Sequence, residues 1–371
     1  MNFMNLYKEY EFFDWKKILD PVFKNTNFIN GNIVTQFENE VCKFLRCKYA
    51  IGVSSGTDAL KIALMAVRKP LPHCRVLTTA YSFVATGEAP LELANIKFCD
   101  VGDDFNIDIK QCINLLKNEY VDVFIPVHLF GLPVDIELEI KDICKEKNII
   151  IIEDAAQAFG SKIHNKFAGT VGDIGCFSFF PSKNLNCAGD GGMIVTDNSD
   201  IYEKCLQIKN HGCKTKYFSE IRGGNYRLDT IQAAILLEKL KYIDEFITIR
   251  RTRSSIYYNK LSKISEIILS ERQCMSNDCT CTHTYNQFVI RVLNNKRNEL
   301  KQYLQKNNIP TQIYYPFTLP EQPVFGIVGG NEKFPMAHKL TQENLALPFY
   351  FLEDDEIIEV SNKIKQFFKE N

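Results

Sequence analysis

The stretch "NIIIIEDAAQAFG", residues 148–160, sets four consecutive isoleucines directly ahead of Glu153 and Asp154. An unbroken β-branched run with no polar alternation reads as a strand buried on both faces, as in a parallel sheet covered by helices. Such a strand carries two carboxylates to its exit. A carboxylate at that depth is costly unless a charged or hydrogen-bonding partner meets it. A protonated heterocyclic nitrogen is one suitable partner, and Gln157 could point the same way. A helix cap by Asp154 accounts for the same residues.

Outward from this stretch the same texture repeats. "YAIGVSS" (49–55), "RVLTTA" (75–80), "IKFCDV" (96–101) and "VDVFIPVHL" (121–129) read as strands. "TDALKIALMAV" (57–67) reads as a helix, with Leu60, Ala63, Leu64 and Val67 at i, i+3, i+4, i+7. "EIKDICKEK" (139–147) is a second helix. The alternation predicts an α/β fold with a mostly parallel sheet. Past about residue 235 the texture changes. Residues 232–264 form a long helical stretch, followed by a strand at 285–292 and helices at 296–308 and 354–370. The chain therefore divides into a large domain over 1–235 and a small α+β C-terminal domain over 236–371.

Composition narrows the function classes. The 371 residues carry 44 basic and 45 acidic side chains, a net charge of −1, which lacks the footprint of a nucleic-acid binder. No apolar run approaches the ~20 residues that cross a bilayer. The first twenty residues are dotted with charge and lack a secretory apolar core. A soluble cytoplasmic protein is expected. The 13 cysteines are scattered, which fits free buried thiols. Cys274, Cys279, Cys281 and His283 cluster without the paired spacing of a zinc site, and no metal is assigned.

Ligands of open α/β sheets bind beyond the carboxyl ends of the strands, and two more motifs fall there. "SSGTDAL" (54–60) puts Gly56 and Thr57 at a helix start, where free N–H groups and the dipole suit a phosphate. A plain cap by Ser55 or Thr57 is the alternative. In "FSFFPSKNLNCAGDGG" (177–192), Ser178 ends a strand and Lys183 follows in a turn shaped by Pro181. A lysine beside apolar groups has its pKa lowered and becomes a nucleophile, although most lysines are solvated surface groups. Each motif alone favours the plainer reading. Together they supply an anion cradle, a carboxylate and an amine, the set that pyridoxal phosphate (PLP) requires.

With these motifs in order, the sequence resembles the DegT/DnrJ/EryC1 sugar aminotransferases over nearly its whole length. The resemblance begins with "FINGNIVTQFENEVCKFL" (28–45) and continues through "YSFVATGEA", "IPVHLFGLP" and "GDIGCFSFFPSKNLNCAGDGGMIVT". It runs on through "NHG" (210–212), "GGNYRLDTIQAAIL" (223–236), "YYPFTLPEQPVF" (314–325) and "ALPFY" (346–350). It implies an aspartate-aminotransferase-like fold of type I, with a seven-stranded large-domain sheet, and a homodimer with shared sites. It further implies that Lys183 forms the Schiff base and shuttles the proton, and that Asp154 pairs with the pyridinium nitrogen. Gln157 would sit against the ring or its phenolic oxygen, and Phe83 would stack on the ring. Gly56, Thr57 and Ser178 would hold the phosphate, and Asn225 would reach the phosphate of the neighbouring subunit's cofactor. Relatives that act as sugar dehydratases carry histidine at the lysine position, so Lys183 implies transamination.

The sugar side of the site is implied to involve Tyr315, Phe317 and Pro320. Pro320 stands where many members have histidine in a "Y-P-x-P-L-H-x-Q-P" segment, a departure that bears on substrate contacts. Similarity of texture implies transfer from L-glutamate to C3 of a dTDP-3-keto-6-deoxyhexose, for surface-polysaccharide amino sugars. Amination at C4 and UDP-linked 3-keto sugars are the close rivals. A catalytically silent PLP-binding regulator and a nucleotide-binding protein without PLP are the readings of other classes.

Overall fold

The computed structural model describes residues 1–67, 74–137, 139–269, 281–326 and 333–370. Seven strands form the main sheet: β1 (Tyr49–Val53), β2 (Arg75–Thr79), β3 (Asn95–Cys99), β4 (Val123–Ile125), β5 (Ile150–Asp154), β6 (Ile174–Ser178) and β7 (Gly192–Thr196). Their order across the sheet is β1-β7-β6-β5-β4-β2-β3. β7 runs antiparallel to both its neighbours and the other six strands share one direction.

The isoleucine run lies near the centre, and its side chains alternate between two cores. Ile151 packs with Leu77, Phe124, Ile140 and Ile143 on one side, and Ile152 with Leu60, Ile62, Val76 and Ile174 on the other. Helices cover both faces, which is why the strand shows no polar alternation. Helix Asn32–Leu45 contributes Val34, Phe37, Val41 and Leu45 from one stripe to a third core beside β6 and β7.

Two expectations need correction. The strand expected over 121–129 is confined to β4. Pro126 has no N–H to extend the ladder. Val127 rejoins through a single bridge to Asp154, and the chain then turns through Leu129–Gly131. The helical stretch over 232–264 is two helices, Thr230–Leu240 and Ile243–Leu261. The break falls at Lys241 and Tyr242, where the Tyr242 ring packs edge-on against Phe13, centroids 5.6 Å apart.

A second, antiparallel sheet of β8 (Ile267–Leu269), β9 (Phe288–Val292) and β10 (Asn344–Leu347) lies in the C-terminal third. Its core includes Tyr257, Leu300, Leu304, Ile357 and Ile364, and Met4, Leu6 and Phe13 from the start of the chain pack against it. The final helix, Asp354–Glu370, puts three acidic residues in its first turn and Lys369 in its last, complementing its dipole. Among the described residues no helix is long and apolar enough to cross a membrane. No group of three or more His, Cys, Asp or Glu among them is arranged to hold a metal. Cys274 and Cys279 lie outside the described residues. The His283 ring stacks on Tyr285 at 3.7 Å.

Candidate active site

The carboxyl ends of β1, β2, β5 and β6 open onto one cavity of about 460 Å³. Gly56, Thr57, Phe83, Asp154, Gln157, Ser178, Lys183 and Tyr315 all line it. Residues more than a hundred positions apart thus meet where a mostly parallel sheet places its ligands.

The two carboxylates of β5 part company, as neighbours on a strand must. Glu153 turns away from the cavity. It accepts hydrogen bonds from the N–H groups of Gly169, Val171 and Gly172 at 2.6–2.8 Å and bonds His128 Nε2 at 2.8 Å. That carboxylate ties a turn to the sheet. Asp154 faces the cavity. Its Oδ2 accepts from Thr86 Oγ1 at 2.7 Å and its Oδ1 from the Ala156 N–H at 3.2 Å. Burial raises the Asp154 pKa; the Thr86 bond, the Ala156 N–H and the Lys183 charge offset part of that rise. A cation held against it would favour the ionised form further.

Lys183 sits in a turn closed on both sides. Its N–H donates to Phe180 O at 2.8 Å, and its carbonyl accepts from Asn186 Nδ2 at 3.1 Å. Asn286 Nδ2 donates to the preceding carbonyl, Ser182 O, at 3.0 Å. Lys183 is half-buried in the wall of the cavity, enclosed enough by protein for its amine to be desolvated. That enclosure lowers its pKa from 10.5 to about 8, against the opposing pull of Asp154. An amine poised there exchanges protons near neutral pH.

Helix Gly56–Val67 points its start at the same cavity. Ser55 caps it: its Oγ accepts the Asp58 N–H at 3.0 Å and its carbonyl the Ala59 N–H at 3.0 Å. The cap thus belongs to Ser55, and it leaves the earlier N–H groups of Gly56 and Thr57 toward the cavity. Gly56 is required by contact, since a Cβ there would come within 2.7 Å of Ser178 Cβ. The helix start, the Thr57 hydroxyl and Ser178 therefore converge on one small region.

Gln157 is tied at both ends, accepting the Phe130 N–H at 2.7 Å and donating to Tyr315 Oη at 3.0 Å. Phe83 is 52% exposed, with its ring 5.9 Å from that of Tyr315. Three residues named from sequence do not line this cavity. Phe317 is exposed, Pro320 is buried, and Asn225 is exposed on a segment bridged to Asn210. The Leu319 N–H donates to Ala80 O at 2.8 Å, docking the Pro320 segment on the end of the sheet. The sequence reading missed Thr86, Asn286 and Gln287. The motif quoted around Phe83 contains Thr86, one helical turn on, but nothing in it marks a hydroxyl aimed at Asp154.

The donor set fits PLP. The cavity is of cofactor size, with a buried carboxylate for a ring nitrogen, an enclosed amine, and an anion cradle that a single Cβ at position 56 would crowd.

A model of the DegT/DnrJ/EryC1/StrS aminotransferase family matches residues 14–365. The chain is 37% identical over 358 residues to a pleiotropic regulatory protein of Geobacillus stearothermophilus, covering 95% of this chain and 94% of that one. It is 34% identical over 352 residues to a UDP-N-acetyl-3-dehydro-α-D-glucosamine 3-aminotransferase of Acidithiobacillus ferrooxidans, covering 94% and 91%. Among solved structures, Streptomyces venezuelae DesV in complex with a ketimine intermediate superposes with a TM-score of 0.92 at 27% identity, covering 99% and 98%. The family's aminotransferases use PLP on a type I fold, and the sheet described above has that form. Sequence match and fold agree along almost the whole chain, which belongs to the DegT/DnrJ/EryC1/StrS aminotransferase family.

Proposed function

We propose that this aminotransferase moves the amino group of L-glutamate to the C3 ketone of a nucleotide-linked sugar. One observation carries the reading: an amine with a pKa near 8 and a buried carboxylate face one cavity at adjacent strand ends. Bound PLP supplies an electron sink for the carbon that loses its proton. Lys183 Nζ takes the proton from the glutamate Cα and returns one at the sugar C3. Asp154 holds the ring nitrogen protonated, and Thr86 keeps that carboxylate ionised and aimed. Gly56, Thr57 and Ser178 bind the phosphate. Phe83 covers the ring face and excludes water.

In this reading residues 1–235 form the cofactor domain and 236–371 the smaller one. The enzyme works in the cytoplasm, in amino-sugar synthesis for surface polysaccharide. It works as a homodimer, with Asn225 serving the partner's site. Tyr217 (90% exposed) and Phe218 (64% exposed), on the hairpin formed by the paired strands Cys213–Thr215 and Phe218–Ser219, support a covered surface there. The motif resemblance favours a dTDP-3-keto-6-deoxyhexose. A UDP-linked 3-keto sugar is the second reading, favoured by the name of the A. ferrooxidans relative.

The test is turnover of purified, PLP-loaded protein with glutamate against dTDP- and UDP-linked 3-keto and 4-keto sugars, with products identified by NMR. The proposal expects 2-oxoglutarate and a 3-amino sugar. Amination at C4 would refute the position, and turnover with none of the sugars would refute the sugar class.

A further inference from the structure

The hydrogen bonding of Asp154 does not end at Thr86. The Thr86 hydroxyl oxygen lies 2.7 Å from Asp154 Oδ2 on one side and 2.7 Å from Ser82 Oγ on the other. Ser82 is 2% exposed, Thr86 1% and Asp154 4%, and all three belong to the cavity wall. A proton count gives this chain one direction. An ionised carboxylate only accepts, and a hydroxyl has one hydrogen to give. Thr86 therefore spends its hydrogen on Asp154, and its oxygen takes the hydrogen of Ser82. The placement of Ser82 is consistent with this use. A serine just ahead of a helix ordinarily caps it by accepting a backbone N–H. Helix Ala85–Leu91 has Val84 at its N-cap and no side-chain cap bond. Among the described residues the Ser82 hydroxyl bonds Thr86 instead.

We propose that Ser82 is a positioning residue for the transamination: by donating to Thr86 Oγ1 it commits the Thr86 hydrogen to Asp154, and so fixes the carboxylate that meets the cofactor's ring nitrogen. Without that donor the Thr86 hydroxyl is free to turn to a backbone carbonyl three or four residues back, that of Phe83 or Ser82, as helical threonines do. Burial is the largest influence on the Asp154 carboxyl and raises its pKa, and the Thr86 bond is the first of the groups that oppose it. Loss of that bond would leave the carboxylate less able to stay charged. In surroundings this dry, successive hydrogen bonds also strengthen one another. This inference rests on the reading above in which Asp154 holds the ring nitrogen protonated.

The test uses the full-length protein freed of cofactor, as wild type, Ser82→Ala, Thr86→Val and the double variant. Each is titrated with PLP and with 1-deaza-pyridoxal phosphate, in which carbon replaces the ring nitrogen, and the dissociation constants are read by absorbance. Wild type should bind PLP more tightly than the deaza probe. Ser82→Ala should weaken PLP binding by about three- to tenfold, the size of one hydrogen bond, and change binding of the deaza probe by less than about twofold. Added to Thr86→Val, it should cost less than about twofold further, because its effect passes through that hydroxyl. Equal weakening of both probes, no weakening of PLP binding, or the full loss on top of Thr86→Val would overturn the inference. Equal affinity of the wild type for the two probes would instead defeat the ring-nitrogen reading on which it rests.

Discussion

Replacing Lys183 with methionine should stabilise the cofactor-free protein while abolishing its chemistry. Enclosure brings the amine's pKa from 10.5 to about 8. At ~1.4 kcal/mol per pKa unit this costs the folded state about 3 kcal/mol at neutral pH. The residue is half-buried in the cavity wall, and screening there trims the figure to about 2 kcal/mol. Between the two pKa values the unfolded chain binds more protons than the folded one, so stability rises with pH across that window. The penalty is therefore complete below about pH 8 and fades as the pH climbs through 10.5. Methionine fills the same space without the charge. Urea unfolding of both PLP-free proteins at equal concentration, near pH 7 and again near pH 10, reads the difference. Lys183→Met should be more stable by about 2 kcal/mol near pH 7, and the gap should shrink toward zero near pH 10. A variant no more stable than wild type near neutrality, or a gap indifferent to pH, would refute the picture of an amine held in an unfavourable place.

Removing the Thr86 hydroxyl by Thr86→Val takes a 2.7 Å hydrogen bond from the Asp154 carboxylate and should weaken PLP binding roughly tenfold; an absorbance titration giving an unchanged dissociation constant counts against it. Glu9 is fully buried, 2.5 Å from Lys239 Nζ and 3.1 Å from Asn186 Nδ2, the group that holds the Lys183 carbonyl. Glu9→Ala should destabilise by about 3–5 kcal/mol through the unpaired Lys239, and adding Lys239→Met should recover most of it in denaturant unfolding; a double variant no better than the single contradicts the pairing. Burial alone would raise the Glu153 pKa, but the His128 bond and the Gly172 and Gly169 N–H groups bring it below 4.5. Its contribution is thus present above about pH 4.5 and lost as the pH falls through the lower folded value. Glu153→Gln should lower stability near neutrality and flatten the acid limb of a pH series of urea midpoints; an unchanged acid limb would speak against this.

Much of the fold was readable because burial on both faces leaves a clear mark. The isoleucine run, the 139–147 helix and the 354–370 helix stand where their patterns put them. The break at Lys241 was not legible, because helical periodicity continues across it and the cause is tertiary packing of Tyr242 on Phe13. The early end of β4 was foreshadowed by Pro126, but the apolar run through Leu129 hid it. Asp154 and Lys183 could be located because strand exits and glycine turns are local features. Which of Glu153 and Asp154 faces the cavity depends on the register of β5 against β6, and no local pattern states that. Thr86 and Gln287 escaped notice for a similar reason. A threonine inside a helix and a glutamine before a strand are ordinary until the fold brings them to the cavity.

The central claim is that nitrogen passes from glutamate to a sugar carbon, with Lys183 moving the proton at each of the two carbons. Purified enzyme loaded with PLP, given 15N-labelled L-glutamate and the accepted keto sugar, tests it by NMR of the product. The account predicts 15N on C3 of the sugar with wild type and none with Lys183→Ala. Label on the sugar from the Lys183→Ala enzyme at the wild-type rate would contradict it.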